Sequence, residues 1–203
     1  MADAPSAELL AQWTASARTR AGVQISIRPL RPDDREREIA FINGLSKQSR
    51  YFRLLTPFKF LPPHLVDQLM DIDYAKRMAF VATIPTGSGE EIVGIARYGE
   101  TNRAEAAELG ISVADAWQRT GIARLLVTHL LRFAQERGIR EMTGIVLPEN
   151  APMIALARSL GFTIAYDPGQ HLMTIARELP AAVGGETRGD CGEVPVRQVH
   201  PAD

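Results

Sequence analysis

Residues 108–124, ELGISVADAWQRTGIAR, constrain the fold of this chain more than any other stretch. Its first part alternates Leu109, Ile111 and Val113 with small or polar residues, a pattern typical of a β-strand with one apolar face. Farther along, apolar residues recur at the spacing of an amphipathic helix. We therefore predict a strand, a short connection, and a helix whose first turn is formed by residues 118–123.

The connection predicts a binding site for an anion. Gly121 falls in the predicted first helical turn, where a residue without Cβ lets another group approach the backbone. The first amides of a helix have no partner inside it, and the helix dipole adds partial positive charge, so phosphate is a common ligand there. Arg119 and Arg124 flank the connection and add charge. The residues expected to form this site are Gln118, Arg119, Thr120, Gly121, Ile122, Ala123 and Arg124.

The remaining pattern predicts one α/β domain. Strands are predicted at 24–30, 78–84, 91–98, 142–147, 162–166 and 172–179, in addition to the one that begins at Glu108. Helices are predicted to open at 31–34, at 62–63 and at Asn150, in addition to the one after the connection. Three consecutive strands followed by strand–helix–strand–helix–strand indicate a mixed sheet of about seven strands with helices on both faces.

Three segments lack this regularity. Residues 46–63 are apolar and aromatic without a clear period, and we predict a loop with one short helical turn, either a lid over the acceptor or a clamp that seals the core. Residues 1–23 form an N-terminal extension, for which we favour a short docked helix over a frayed terminus. Residues 180–203 are rich in Gly, Pro and charge, so we expect a disordered tail after a domain at 24–179.

Composition excludes several classes of protein. The net charge of −1 gives no strong field for nucleic acid or for an anionic membrane. The single cysteine, Cys191, excludes an intrachain disulfide and a cysteine-built zinc site, and it suits a reducing cytoplasm. The four histidines share no metal-ligand spacing, so we predict no metal, and His129 is interpreted as a core residue. No apolar run approaches a membrane span, and the oligomeric state stays open, a homo-oligomer included.

The motif in the connection resembles that of a known superfamily. Gln118, Gly121 and Ala123 form Gln-x-x-Gly-x-Ala after a strand, as in the acyl-CoA pyrophosphate loop of the GCN5-related N-acetyltransferases (GNAT). Many members carry a further glycine where this chain has Arg119. Four segments are similar to the acetyltransferase domain of bacterial protein-lysine acetyltransferases, namely 49–53, 73–79, 113–118 and 160–162. The resemblance covers 24–179 and implies the GNAT fold with acetyl-CoA as acyl donor.

Glu108 is the candidate general base. An amine must lose its proton before it attacks a thioester, the free pKa of lysine is about 10.4, and a carboxylate near the cleft can take that proton. The resemblance places Glu108 where related lysine acetyltransferases carry their general base. A solvated glutamate at a strand end is the alternative, and Glu105 in the preceding turn is the nearest competitor. The resemblance further implies that the backbone of Ile111, Ser112 and Val113 binds the oxyanion and pairs with the pantetheine arm.

The last helix holds two candidate cofactor contacts and one departure from the family. Asn150 would contact the cofactor, cap the helix, or do both. Arg158 would meet a phosphate of CoA or remain a solvated surface residue. Many members carry a tyrosine four residues before the Gly-Phe pair, where this chain has Ala157, so the resemblance leaves the general acid unassigned.

These observations predict an acetyl-CoA-dependent N-acetyltransferase that acts by direct attack of an amine in a ternary complex. Protein lysine is the leading acceptor, and a small amine or an amino acid is the alternative. A third hypothesis, from another class, is a CoA-binding sensor module without turnover. Release of the thiol from acetyl-CoA in the presence of an acceptor separates the sensor from the two enzymes.

Overall fold

The computed structural model describes residues 6–55, 61–87 and 89–181. The strands in this part of the chain are β1 Ala15–Arg18, β2 Gln24–Pro29, β3 Arg77–Thr86, β4 Gly89–Glu100, β5 Ala106–Val113, β6 Glu141–Val146, β7 Thr163–Asp167 and β8 Leu172–Glu178. The α-helices are α1 Ala7–Trp13, α2 Arg35–Gly44, α3 Lys47–Leu54, α4 Pro63–Met70, α5 Ile122–Glu136 and α6 Ala151–Ser159. Short 3-10 helices span Pro32–Asp34 and Asp115–Trp117.

The strands form one sheet in the order β1-β2-β3-β4-β5-β6-β8-β7. Neighbouring strands are antiparallel throughout, except that β5 and β6 are parallel. The mixed α/β sheet predicted from the sequence is confirmed, with eight strands where about seven were predicted.

Helices cover both faces of the sheet, and β3 shows why. Its side chains alternate between two apolar clusters: Met78 and Phe80 belong to one, and Ala79 and Val81 belong to the other. The first cluster contains residues of α1, α5 and α6, whereas the second contains residues of α2 and α4. The central strands are therefore buried on both sides, and polar side chains can reach a cleft only where a covering helix leaves space.

The N-terminal segment is part of the folded unit. Trp13 is 5% exposed and packs against Phe80 and Phe133, with ring centroids 6.0 and 4.9 Å apart. Strand β1 follows and pairs with β2, so the sheet begins at Ala15, before the predicted domain start at residue 24. The sequence of β1, ASAR, contains no bulky apolar residue, so periodicity does not reveal it.

A full helix, α3, stands where the sequence predicted a loop with one helical turn. Ser46 caps it, because its Oγ accepts a hydrogen bond of 3.1 Å from the amide of Ser49. The inward face of α3 carries Arg50, which is 8% exposed, in a place where an apolar residue is usual. A charged residue on the buried face hides the helical period, so the prediction was wrong over this helix.

A glycine follows the C-terminal end of helix α5. Gly138 adopts φ +85°, a left-handed conformation that favours glycine, and the amide of Ile139 donates to the carbonyl of Ala134 at 3.0 Å. His129 on the inner face of α5 lies half-buried, with Nε2 3.1 Å from the carbonyl oxygen of Trp13. Burial lowers the pKa of His129, as expected for a core histidine.

A buried ion-pair cluster joins β2 to the start of α2. Asp34, which is fully buried, accepts hydrogen bonds from the guanidinium of Arg28 at 2.6 and 2.8 Å. Glu90 is a second partner of Arg28, and Arg37 is a second partner of Asp34. Burial acts to raise the pKa of Asp34, but its hydrogen bonds from Arg28 and from the amide of Arg31 hold that pKa below its usual range.

Several predictions fall outside the described residues. They concern Phe58 and Phe60 of the predicted lid or clamp, Cys191, and the predicted disordered tail from residue 182 onward. Among the helices that the structure describes, none has the length and apolar character needed to cross a bilayer.

Candidate active site

A gap opens between β5 and β6. The two strands pair only where Ala106–Glu108 meets Glu141–Thr143, and the described residues form no ladder between them beyond Glu108. The amide of Ala114 donates to Val93 on β4 at 2.9 Å. Since backbone groups alternate along an antiparallel ladder, odd-numbered residues of β5 turn their amides and carbonyls away from β4 and into the gap.

This alternation divides the three backbone positions predicted to bind the oxyanion and the pantetheine arm. The amides of Ile111 and Val113 face the gap. The carbonyl of Val113 already accepts a hydrogen bond from Gln118 Nε2 at 3.3 Å. Ser112 turns its backbone to β4 instead, and its buried hydroxyl has no hydrogen-bond partner among the described residues.

The predicted anion loop lies at the far end of β5. After the 3-10 helix, Gln118 is extended, Arg119 takes φ +62° and Gly121 takes φ +97° as the N-cap of α5. The helix therefore begins at Ile122, and the prediction that residues 118–123 form its first turn was wrong. Left-handed φ at position 119 accounts for the glycine that many superfamily members carry there.

The amides of this loop are available to a ligand. Within the described residues, neither a carbonyl nor a side chain accepts a hydrogen bond from the amides of 119–124. Their number and their place at the start of α5 match the helix-terminal sites that bind phosphate. The side chain of Ile122 is fully buried, so this residue offers only its amide.

The turn between β1 and β2 supports the loop from outside. The amide of Arg20 donates to the carbonyl of Thr120 at 2.9 Å, and the hydroxyl of Thr120 donates to Trp117 at 2.6 Å. In a planar trans peptide the carbonyl and the next amide point in opposite directions, so Gly121 turns its amide away from Arg20. The Cγ of Arg20 lies 3.7 Å from the position that a Cβ on Gly121 would take.

The gap, the loop and one face of α3 enclose a single cleft of about 1060 Å³. Ten of the predicted site residues line it: Glu108, Ile111, Ser112, Val113, Gln118, Arg119, Gly121, Ala123, Arg124 and Asn150. Arg20 and Arg53, which the sequence analysis did not select, line it as well. Thr120, Ile122 and Arg158 do not, and Arg158 is exposed on α6.

Glu108 stands where the gap begins. It pairs with Gly99 on β4 and Thr143 on β6, and its side chain faces away from the apolar side that carries Leu109. It is exposed and lines the cleft. Glu105 lies outside the cleft in the turn before β5, where its carbonyl accepts hydrogen bonds from two amides of the 140–141 segment.

Helix α3 closes the cleft on the side of Glu108, and a carboxylate fixes its position. Asp115 accepts hydrogen bonds from the amide and hydroxyl of Ser46, both at 2.8 Å, and from the hydroxyl of Ser49 at 2.7 Å. Partial burial acts to raise the pKa of Asp115, but these hydrogen bonds outweigh it and lower that pKa. Gln118 Nε2 also donates to Ser49 at 3.1 Å, so its amide ties the loop to α3.

Arg53 extends from α3 over the floor of the cleft. Two of its guanidinium nitrogens lie 2.9 and 3.2 Å from the position that a Cβ on Gly110 would occupy. Burial lowers the pKa of Arg53 to about 10; the charge of Arg97 acts in the same direction, while Glu38 and Glu108 oppose it.

The sequence that builds this cleft matches a known family. Residues 48–162, which include the gap, the loop and most of α3, match the acetyltransferase (GNAT) family. The chain belongs to the GNAT family of acetyltransferases. Membership of this family identifies the chain as an acetyltransferase, with acetyl-CoA as its acyl donor.

Several acetyltransferases resemble this chain over most of its length. An acetyltransferase of Pseudomonas aeruginosa is 40% identical over 156 residues, which cover 77% of this chain and 84% of that protein. Acetyltransferase Pat of Mycolicibacterium smegmatis is 29% identical over 144 residues, 70% of this chain but 42% of that protein. The crystal structure of the GNAT domain of S. lividans PAT matches with a TM-score of 0.76 at 31% identity, covering 83% of this chain and 98% of that domain.

A more distant solved structure supports the fold alone. The yncA protein of Salmonella typhimurium, solved with its cofactor acetyl-CoA, has a TM-score of 0.64 at 19% identity and covers 81% of this chain and 99% of that one. In the described ranges of the present GNAT chain, no group of three or more His, Cys, Asp or Glu side chains is placed to hold a metal ion.

Helix α6 begins at the predicted Asn150 cap, but it carries an alanine where many family members carry a tyrosine. Asn150 caps α6, because its Oδ1 accepts a hydrogen bond of 3.2 Å from the amide of Met153, and Asn150 also lines the cleft. Ala157, in place of the family's tyrosine, is 1% exposed in the core and outside the cleft. Ser159 lines the cleft, but its hydroxyl donates a hydrogen bond to the carbonyl of Leu156. Tyr166 lies outside the cleft, with its hydroxyl 3.1 Å from Nδ1 of His171.

Proposed function

We propose that this GNAT protein transfers the acetyl group of acetyl-CoA to the ε-amine of a protein lysine, with Glu108 as general base. One observation carries the proposal. The carboxylate at the head of the gap lines the same cleft as Arg119, Gly121, Ala123 and Arg124, whose amides have no partner among the described residues. If the loop binds the diphosphate of acetyl-CoA, the pantetheine arm of the same molecule can extend along β5 towards Glu108.

The arm would bind as an added strand. The amide of Ile111 faces the gap without a ladder partner, so it can donate to a carbonyl of pantetheine or of the thioester. Attack on the thioester develops negative charge on its oxygen, and a fixed amide donor stabilises that charge. We assign Ile111 as the oxyanion donor, because Ser112 uses its amide in the ladder with β4.

The reaction follows from these positions. A lysine amine reaches the carbonyl carbon from the Glu108 side of β5, and Glu108 takes its proton directly or through water. The new N–C bond forms, the tetrahedral intermediate collapses, and the C–S bond breaks. The CoA sulfur leaves as a thiolate, whose thiol has a pKa near that of cysteine, about 8.5. No side chain is required to protonate it, which fits the alanine at position 157.

The acceptor separates this proposal from its main alternative. Similarity to bacterial protein-lysine acetyltransferases supports a lysine in a protein, while a small amine or an amino acid would use the same chemistry. Mass spectrometry of candidate proteins and of a panel of small amines, each incubated with enzyme and acetyl-CoA, distinguishes the two. Acetylated lysine side chains support the proposal; acetylation of small amines alone contradicts it.

A sensor without turnover is the second candidate, and the lack of the family's tyrosine favours it. Thiol release from acetyl-CoA with and without acceptor decides the matter. Release that depends on acceptor establishes an enzyme, whereas tight binding of acetyl-CoA with no release under any condition establishes a sensor.

We expect Arg20 to strengthen binding of the CoA phosphates. Its stem packs beside Gly121, and no carboxylate among the described residues pairs with its guanidinium. Arg20→Ala keeps the backbone bond to Thr120 and removes one exposed charge. The KM for acetyl-CoA should rise about two- to fivefold, as for exposed ion pairs, and the difference should shrink at high salt.

The matched control for Arg20 is Arg18→Ala. Arg18 is exposed on β1 and donates to the carbonyl of Gly22, outside the cleft. The same KM shift in both variants would assign the effect to the general charge of this edge and would remove Arg20 from the phosphate site.

A further inference from the structure

Arg53 is a cation in the cleft without an anionic partner. In the described part of the chain no carboxylate lies within ion-pair distance of its guanidinium. Residues 56–60, TPFKF, contain no acid. Arg53 is partly exposed and lines the cleft, so an anion that enters the cleft can form charge-assisted hydrogen bonds with its guanidinium.

The neighbouring charges do not satisfy Arg53. Glu38, which is fully buried, already pairs with Arg97, and Arg97 also donates to the carbonyl of Leu69 at 2.8 Å. Arg97 faces Gly110 directly across the β4–β5 ladder, so it repels Arg53 at close range. Glu108 attracts Arg53 through space but forms no ion pair with it.

Three residues lie on the face of β5 that carries the side chain of Glu108. Glu108, Gly110 and Ser112 alternate onto the same face, and the guanidinium of Arg53 covers Gly110. The hydroxyl of Ser112 is buried without a partner, so it is a second hydrogen-bond donor beside the guanidinium. A guanidinium and a hydroxyl can together bind a carboxylate.

We propose that Arg53 and Ser112 form a carboxylate-binding site. This site selects acceptors whose reactive amine lies about 6.6 Å from an acidic group, the spacing of side chains on one face of a strand. This inference rests on the proposed function, because Glu108 marks the position of the amine. Side chains two residues apart on a strand are about 6.6 Å apart. That spacing fits a lysine ε-amine beside its own free carboxylate or beside an adjacent Asp or Glu. An α-amine and its own carboxylate are too close.

Peptide pairs test this site and separate its two sources of carboxylate. N-acetyl-lysine and its amide differ only in the free carboxylate. N-acetyl-Lys-Asp-amide and N-acetyl-Lys-Asn-amide differ only in an acidic neighbour. Each is assayed for kcat/KM of acetylation and, by calorimetry, for binding to the enzyme in the presence of CoA. The proteins are the wild type, Arg53→Gln, and the control Lys47→Gln, which removes an exposed charge of α3 outside the cleft.

The wild type should favour the acidic member of at least one pair by about tenfold in kcat/KM and in binding, as for a charge-assisted hydrogen bond. Arg53→Gln should reduce that ratio to below about twofold, and Lys47→Gln should leave it unchanged. Equal use of both members by the wild type overturns the inference. An equal loss of kcat/KM for both members of a pair in Arg53→Gln also overturns it. That result would mean that Arg53 acts on Glu108 and does not bind the carboxylate of the acceptor.

The calorimetric binding measurements distinguish failure of the carboxylate site from failure of the proposed function. If no peptide is acetylated but the acidic member still binds better through Arg53, the proposed function fails and the carboxylate site stands. If both members are acetylated and bind equally, the proposed function stands and the carboxylate site fails.

Discussion

Replacement of Glu108 by glutamine should lower kcat for acetyl transfer by about 10²- to 10⁴-fold, the usual contribution of a general base. Glutamine keeps the size of the side chain and its place on β5, but it cannot accept the proton of the attacking amine. The loop amides and the edge of β5 remain intact, so the Kd for acetyl-CoA should change by less than about twofold. Stopped-flow thiol release and calorimetry with CoA measure the two quantities on the same preparation.

Glu105→Gln is the matched control for this experiment. Glu105 lies three residues earlier, outside the cleft, so its loss should leave kcat within about twofold of the wild type. Unchanged turnover in Glu108→Gln would remove the base assignment. Equal losses in the two variants would point to a general effect of charge near β5.

Replacement of Asp34 by alanine should destabilise the protein by about 3 kcal/mol, the lower end of the cost of breaking a buried ion pair, because Glu90 remains as a partner of Arg28. Asp34 is fully buried and Arg28 is 3% exposed, so water cannot replace the lost carboxylate. Denaturant unfolding of both proteins measures the difference. The control is Asp67→Ala, which breaks a pair with Arg35 whose side chains are 66% and 41% exposed, and it should cost less than about 1 kcal/mol.

The same pair predicts how stability depends on pH. The pKa of Asp34 is lower in the folded protein than in the unfolded chain, where a free aspartate has a pKa of about 3.9. Its stabilising contribution is therefore fully present above about pH 4 and is lost as the pH falls through the folded pKa. The difference in unfolding free energy between wild type and Asp34→Ala should narrow only below that pH. A difference that stays constant into strong acid would contradict the ion-pair account.

The sequence was informative where local spacing decides the structure. The alternation of Leu109, Ile111 and Val113 predicted the central strand, and the glycine at 121 predicted a loop that frees amides at the start of a helix. Both features depend on residues close in the chain. The match to the GNAT family, which covers 48–162, agrees with the fold predicted from these patterns.

The sequence was uninformative where distant segments meet. Arg20 reaches the loop only because β1 adds to the sheet edge, and the four small or polar residues of β1 carry no period. Arg53 reaches the cleft because α3 packs over Gly110, and the buried face of that helix is charged. Tertiary packing overrides local pattern in both cases, so these two arginines could be recognised only from the structure.

The central claim is that amides at the start of α5 hold the diphosphate while β5 brings the thioester to Glu108. A crystal structure of Glu108→Gln bound to acetyl-CoA tests this claim most directly. It should show diphosphate oxygens within hydrogen-bond distance of amides in 119–124, and the thioester oxygen within that distance of the amide of Ile111. Acetyl-CoA bound elsewhere, or bound with its thioester away from the side chain at position 108, would contradict the account.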